Sequence, residues 1–246
     1  MRFQIHHYET VSSTNDLLKA MTGAPEFTVI VADEQTAGRG RRSRSWHSSV
    51  GDGLYLSLLL CPRNEKARLS LLSLAAAISV AETIREIPVR GVDIKWPNDL
   101  LIHDHKVGGI LIEGSSIGGQ VSRVIVGIGV NLNAKSFPAE LAETATSLFL
   151  ESGKLIDAVL FRDNLLDRIA EWYAIWNLGE NGSIIRAWES LSSYARGRMV
   201  NVTTDGGEIA GETCGLAEDG ALIVRTPTGK EHRIIAGEVS RLRASV

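Results

Sequence analysis

Four arginines, Arg39, Arg41, Arg42 and Arg44, stand in the string TAGRGRRSRSW (36–46) with no acid among them. Guanidinium groups on a stretch that Gly38 and Gly40 allow to approach a ligand closely suit phosphates or carboxylates, whereas a solvated basic loop is the plainer reading of the same string. Further on, KWPND (95–99) sets Lys95, Asn98 and Asp99 around a rigid proline. That is either an ordinary Pro-Asn-Asp turn or an amide and a carboxylate at a strand end suited to magnesium and phosphate. If Asp104 and His105 make a two-residue turn, Asp99 and Lys106 share one sheet face about 13 Å apart, the span of an extended ligand rather than of one atom.

Gly108, Gly109, Gly127 and Gly129 fall in segments that read as central strands. Glycine there costs stability and marks either a ligand or another backbone lying against the sheet, or a bulge or helix contact. Gly127 and Gly129 share a face, and Asn131 and Asn133 follow at the strand's end, placed to cap a turn or to bind. Trp172, Tyr173 and Trp176 occur at helical spacing and are assigned to packing. The six histidines have no zinc-type spacing, and no serine-hydrolase motif is present, which sets those two classes aside.

These side chains must be positioned by a mixture of strands and helices. Ser12 to Asp16 crowd capping side chains ahead of LLKAM and predict a helix start after a strand at 3–8. FTVIVAD (27–33) and GLYLSLLLCP (53–62) read as strands separated by a long polar loop, and a helix is expected over 66–86. Three short strands are expected in 92–114, a turn at SSIGGQ (115–120), a strand over 121–133, and helices over 155–178 and 184–191. After residue 195 the rhythm changes to short strands separated by DGG, EDG and PTG, as in a small antiparallel barrel. Two domains, 1–195 and 196–246, are therefore expected.

The chain has 246 residues, 44% hydrophobic and 22% charged, with net charge −3. That is ordinary globular composition, which excludes disordered, collagen-like and coiled-coil classes, and the chain as a whole lacks the basic excess of a dedicated nucleic-acid binder, so any basic site must be local. Cys61 and Cys214 fit reduced core thiols and a cytoplasmic protein better than a disulfide framework. The longest near-apolar run, Leu69 to Ala81, is broken by three serines and suits a buried helix, not a membrane span.

In order, SSTN (12–15), Gln35 with AGRGRRSRSW (37–46), KWPNDL (95–100), KVGGILIE (106–113) and GIGVNLN (127–133) closely resemble the biotin protein ligases. With GALIV and GEVSRLR in the C-terminal part, the resemblance covers nearly the whole length. It implies an α+β fold: a catalytic domain of mixed β-sheet with flanking helices, then a small SH3-like β-barrel. It also implies a two-step reaction in which biotin and MgATP give biotinyl-5′-AMP and pyrophosphate. The adenylate then acylates one lysine of the biotin carboxyl carrier domain of a biotin-dependent carboxylase such as acetyl-CoA carboxylase.

By the same resemblance, Lys106 and Arg41 are the catalytic residues, Lys106 contacting the biotin carboxylate and the α-phosphoryl oxygens. Biotin is expected against Ser13, Thr14, Asn15, Gln35, Gly38, Arg39, Gly40, Arg41, Lys106, Gly108, Gly127 and Gly129. The nucleotide is expected against Arg41, Arg42, Arg44, Trp46, Asn98, Asp99 and Asn131, with Asp99 on the magnesium side. The C-terminal barrel is expected to help engage ATP and the carrier. SSTN at residue 12 leaves no room for the N-terminal helix-turn-helix of some members, so DNA is not expected as a partner, nor is a membrane; a homodimer stays open. The rival readings are a lipoate or octanoate ligase or transferase, and a non-enzymatic binder of an anionic metabolite or nucleic acid.

Overall fold

The computed structural model describes residues 2–62, 68–117 and 120–241. Its first sheet has seven strands: β1 (Gln4–Val11), β2 (Thr28–Gln35), β3 (Gly53–Leu60), β4 (Val92–Lys95), β5 (Asp99–Ile102), β6 (His105–Ile117) and β7 (Gln120–Asn131), in the order β1-β2-β3-β7-β6-β5-β4. β1 runs parallel to β2 and every other pairing is antiparallel, so the sheet is mixed. The helices are α1 (Thr14–Ala20), α2 (Leu69–Arg85), α3 (Leu148–Ser152), α4 (Ala158–Asn177) and α5 (Asn181–Leu191).

Side-chain alternation assigns the two faces of the sheet. Leu54, Leu56, Leu58 and Leu60 of β3 and Val124, Val126, Ile128 and Val130 of β7 enter the main core with α2, α4 and α5. Leu59 and Ile125, one residue out of phase, meet Ile30 and Leu18 in a second, smaller core under α1. Continuing along that second face from α1, β3 offers Ser57 and β7 offers Gly127 and Gly129. The sheet therefore runs from an apolar floor under α1 to a polar, glycine-lined stretch beside it.

Ser13 caps α1 by accepting the backbone N–H of Asp16, as its place before LLKAM predicts. α2 is buried almost all round, which accounts for its unbroken Leu, Ala, Ile and Val content. Its expected start at residue 66 lies outside the described residues, as does part of the turn expected at 115–120. Tyr173 and Trp176 of α4 are buried and stacked, and Trp172 donates to Glu82, so the three aromatics pack as expected. Both cysteines are free but half-buried, not in the core. Among the described residues no helix is long and apolar enough to cross a membrane.

The turn between β5 and β6 falls one residue earlier than expected. His103 and Asp104, both at positive φ, make it, and Ile102 pairs with His105. Leu101 then faces Lys106, and a bulge follows before Leu100 faces Gly108. Lys106 is brought to within two residues of the Asp99 level, and the two side chains meet at 2.5 Å. The expected separation of about 13 Å is thus corrected to direct contact, because a one-residue change at the turn and the bulge together reset the register.

The C-terminal segment forms a five-stranded antiparallel sheet of β8 (Arg196–Thr204), β9 (Gly207–Leu216), β10 (Leu222–Arg225), β11 (Glu231–Ile234) and β12 (Glu238–Arg241), in the order β11-β10-β9-β8-β12. It leans on the first module through specific polar contacts. The buried Trp96 indole donates to the Gly220 carbonyl at 3.0 Å, and Ser70 donates to the Asp219 carbonyl. Trp96→Phe removes that donor and leaves a carbonyl without its partner, which should cost about 2 kcal/mol of stability. Thermal denaturation checks this; an unchanged midpoint would mean that the contact does not hold the two modules together.

Candidate active site

One cleft gathers residues from both modules. The segment 36–48 rises from β2 and folds back on itself: Trp46 N–H donates to the Gly38 carbonyl at 2.8 Å, Gly40 N–H to the Arg44 carbonyl at 2.7 Å, and Arg39 bridges Ser45. Arg42 and Ser43 at its tip adopt positive φ. Gly38 belongs to this neck rather than to the cleft wall. A Cβ there would lie 2.5 Å from the Trp46 carbonyl oxygen, so its absence lets the loop close.

Beneath the loop lies an uncharged hydrogen-bonding end. Thr14 donates through its backbone N–H (2.9 Å) and its hydroxyl (3.1 Å) to Gln35 Oε1, and Gln35 Nε2 donates to Ser48. Ser57, fully buried in the middle of β3, lies 2.7 Å from the Thr14 hydroxyl and 2.5 Å from Asn15 Oδ1. Asn15 Nδ2 donates to Glu113 at 2.7 Å. Neither Ser57 nor Glu113 was expected from the sequence. The one available signal was a lone serine in an otherwise apolar strand.

The other end is cationic. Asp99 is held by Lys106 at 2.5 Å and by Lys95 at 3.2 Å. Burial would raise the Asp99 carboxyl, but the two ammonium groups outweigh it and keep it below the ordinary carboxylate range. Trp46 lies 5.5 Å, ring centroid to Nζ, from Lys106, and its buried indole N–H has no hydrogen-bond partner among the described residues. The Lys106 main chain is clamped on both sides: its N–H donates to Thr144 and its carbonyl accepts from Thr146.

The four loop arginines are held differently. Arg39 pairs with Asp16 and Glu113, Arg42 with Asp205 in the β8–β9 turn, and Arg44 with Glu238 of β12. Arg41 alone has no ion pair among the described residues; it donates to Asn98 Oδ1 at 3.2 Å. Burial lowers the Arg41 guanidinium from its ordinary value, against the attraction of Asp99. Asn98 is itself fixed by reciprocal bonds with Ile110.

Ser13, Thr14, Asn15, Gln35, Arg39, Gly40, Arg41, Arg42, Arg44, Trp46, Asn98, Asp99, Lys106, Gly127 and Gly129 all line this cleft. Three expected residues do not. Gly108 faces Leu100 and Val130 behind the sheet, and strand alternation gives its place to Gly109, which lies against Trp46 and Lys106. Asn131 is buried and donates to the Thr146 carbonyl, so it holds the segment that clamps Lys106. Gly38 closes the loop neck. Lys95, singled out with Asn98 and Asp99 in KWPND, joins the wall, and so does the Gly237–Val239 stretch, which was not among the expected site residues.

As a magnesium ligand Asp99 does not fit this arrangement. Both acids on the cleft wall are held by cations, Asp99 by two lysines and Glu238 by Arg44. Among the described residues no group of three or more His, Cys, Asp or Glu is placed so that it could hold a metal ion. The chemistry of the cleft is instead that of an anion receptor joined to a neutral polar pocket.

Residues 8–131 match the Biotin/lipoate A/B protein ligase family, and residues 196–242 match the Biotin protein ligase C terminal domain. The chain is 38% identical over 229 residues to the Bifunctional ligase/repressor BirA of Bacillus spizizenii, covering 91% of this chain and 70% of that protein. It is 35% identical to the Biotin--[acetyl-CoA-carboxylase] ligase of Paracoccus denitrificans, covering 90% of this chain and 94% of that one. A biotin protein ligase from Aquifex aeolicus, solved in complex with biotin and ATP, superposes with a TM-score of 0.86 at 35% identity, over 98% of this chain and 99% of that chain. With both parts of the sequence matched and the fold shared along its length, the chain belongs to the biotin protein ligase family.

Proposed function

We propose that this protein is an ATP-dependent biotin ligase that makes biotinyl-5′-AMP and passes the biotinyl group to a lysine of a biotin carboxyl carrier domain. The observation that carries the reading is the joining of two unlike ends in one cleft. The hydroxyl and amide groups of Thr14, Asn15 and Gln35, with Thr14 and Asn15 backed by the buried Ser57, offer donors and acceptors to a neutral ureido ring, and Lys106, Lys95 and Arg41 form the cationic end beside them. Gly127 and Gly129 keep the floor between the ends low.

In the first step a biotin carboxylate oxygen attacks the α-phosphorus of ATP and pyrophosphate leaves. Two anionic groups must meet, and fixed cations at the meeting point are the direct remedy. Lys106 has three N–H donors, so it can hold a substrate oxygen while still touching Asp99. Arg41, free of a carboxylate partner among the described residues, is the loop arginine available to an incoming phosphate. The Trp46 indole N–H, without a hydrogen-bond partner among the described residues, stands at the same wall. ATP brings magnesium as its own counter-ion, and no step here runs through a protein-held metal.

In the second step the ε-amine of the carrier lysine attacks the acyl carbon of the mixed anhydride, and AMP leaves. Residues 1–195 would carry the chemistry, and 196–246 would complete the wall through Gly237–Val239 and hold the loop through Asp205 and Glu238. Two free cysteines suit a reducing, cytoplasmic setting.

Mass spectrometry of the small molecules formed from biotin, ATP and magnesium tests the reading, with lipoate in a parallel tube. Biotinyl-AMP in the first tube alone is expected; lipoyl-AMP alone, or no adenylate, would overturn it. Arg41→Gly should loosen the cover over the adenylate. Free biotinyl-AMP and labelling of a bystander protein such as albumin should then rise about tenfold, since a closed site is what excludes water and wrong nucleophiles. Labelling confined to the carrier in this variant would remove Arg41 from that role.

A further inference from the structure

The turn that precedes Lys106 is built from residues that do not favour it. His103 (φ 49°) and Asp104 (φ 64°) are both left-handed, in a two-residue hairpin closed by Ile102 and His105. Hairpins of that kind take glycine or asparagine at such positions, because a larger side chain there crowds its own backbone. Between this turn and the bulge at Leu100 and Leu101 only two residue pairs remain, Ile102 with His105 and Leu101 with Lys106. β7 gives no support at that level, since its pairing with β6 begins at Gly108. Lys106 therefore depends for its place in the sheet on a two-pair ladder and on the turn that closes it.

The C-terminal module reaches this turn with one side chain. Arg198 of β8 donates to Asp104 Oδ1 at 2.9 Å. An ion pair with an exposed member contributes little when both side chains must be ordered to meet, and the Asp104 side chain is half exposed. Arg198, however, is ordered by other contacts. Its side chain is only 18% exposed, its guanidinium lies 4.0 Å from the centre of the buried Tyr194 ring, and it also donates to Ser193. Ser193 is in turn fixed on Asp93 of β4, through its N–H at 2.8 Å and its hydroxyl at 2.5 Å. A guanidinium anchored on β4, the strand next to β5, can hold Asp104 with little further loss of side-chain freedom.

We propose that Arg198 is a positioning residue for Lys106: the C-terminal module holds the His103–Asp104 turn closed and thereby keeps the ammonium at the cationic end of the cleft. Arg198 itself does not line the cleft. The sheet alone can build the turn, and Arg198 keeps it from opening. When the turn opens, the Leu101–Lys106 pair opens with it and Lys106 moves away from Asp99; a displacement of about 1 Å at such a group is enough to slow a reaction severely. The uncharged end of the cleft, at Thr14, Asn15 and Gln35, stands on α1 and β2, away from this turn. The expected signature is thus a loss of rate and not of biotin affinity. The kinetic part rests on the biotin-ligase reading; the opening of the turn does not.

The test compares two replacements of Asp104. Asp104→Ala removes the ion pair and leaves a side chain at positive φ, whereas Asp104→Gly removes the ion pair but suits the turn by itself. Asp104→Ala and Arg198→Met should each lower kcat for adenylate formation about tenfold, with the biotin KM within about threefold. Asp104→Gly should keep kcat within about twofold of the unmodified protein, and adding it to Arg198→Met should restore kcat to that range. An ion pair that merely holds the modules together would make alanine and glycine equivalent and leave the double variant impaired, and either result overturns the proposal. So does an unaltered kcat in Arg198→Met or in Asp104→Ala. Deuterium exchange of the backbone amides of 101–107, followed without ligands, should accelerate about tenfold in Asp104→Ala and Arg198→Met but not in Asp104→Gly. If Arg198→Met fails to fold, the alanine and glycine variants decide alone. Should the unmodified protein make no biotinyl-AMP, the proposed activity fails, and the exchange rates still decide the hold on the turn: alanine faster than glycine supports it, and the two alike overturn it.

Discussion

Lys106→Ala should lower the rate of biotinyl-AMP formation about a thousandfold, the upper end of what removal of one preorganised charge stabiliser costs. The size of the effect follows from how firmly this ammonium is placed. Its main chain is clamped between the Thr144 carbonyl and the Thr146 N–H, its Nζ sits 2.5 Å from Asp99, and Trp46 lies alongside. Its two cationic neighbours approach from elsewhere: Lys95 remains on Asp99 at 3.2 Å, and Arg41 reaches in from the loop beside Asn98 and not from the sheet. Removing Lys106 also takes the Asp99–Lys95–Lys106 group from net positive to neutral at a place where two more anions must meet. Pyrophosphate release with saturating biotin and MgATP measures the step, and a rate within tenfold of the unmodified protein would take Lys106 out of the chemistry. The fold should survive, because the side chain is partly exposed and its strand pairing does not depend on it.

Gly127→Ala should have the second largest effect, on biotin binding. A Cβ at this position would lie 2.3 Å from Asn15 Oδ1 and 3.0 Å from its Cγ, closer than side chains approach. Asn15 cannot simply retreat, because Ser57 holds its oxygen and Glu113 its nitrogen. The methyl must therefore break part of that network or push α1 away from β7, and overpacking of this kind costs about 1–3 kcal/mol. Biotin affinity should fall about thirtyfold when read by calorimetric titration, with a fall of a few degrees in the melting midpoint. Unaltered affinity together with an unaltered midpoint would mean that Asn15 gives way freely and that the network does not hold it.

Much of this was legible in the residue order, and what was not has identifiable causes. Capping oxygens at 12–16, the glycine and arginine string, and the shared face of Gly127 and Gly129 are local signals, and the structure places them where local reasoning does. Register was harder. The turn at His103 and Asp104 carries none of the strong hairpin dipeptides, so a slip of one residue changed the reach from Asp99 to Lys106, and the bulge between Leu100 and Leu101 exchanged the parts of Gly108 and Gly109. Asn131 ends its strand among ligand-type residues but is turned to the Thr146 carbonyl, a partner that only the tertiary fold supplies. Ser57 and Glu113 escaped notice for a related reason: they meet Asn15 across 42 and 98 residues of chain. Hydrophobic periodicity reports which face of an element is inward, not which distant polar group waits there.

The cleft wall draws on residues from Ser13 to Val239. During synthesis the ribosome emits the chain from one end, and N-terminal portions fold as they emerge. The seven-stranded sheet and its helices can assemble once residue 191 is out, with Lys106 and the arginine loop already in place. Gly237, Glu238 and Val239 come last, as does the carboxylate that anchors Arg44. A nascent or prematurely ended chain would thus present a site with one side missing, open to water and to stray amines. The catalytic residues therefore emerge well before the enclosure is whole, so that a polypeptide able to generate a reactive acyl adenylate acquires its means of containing it only once Val239 has followed.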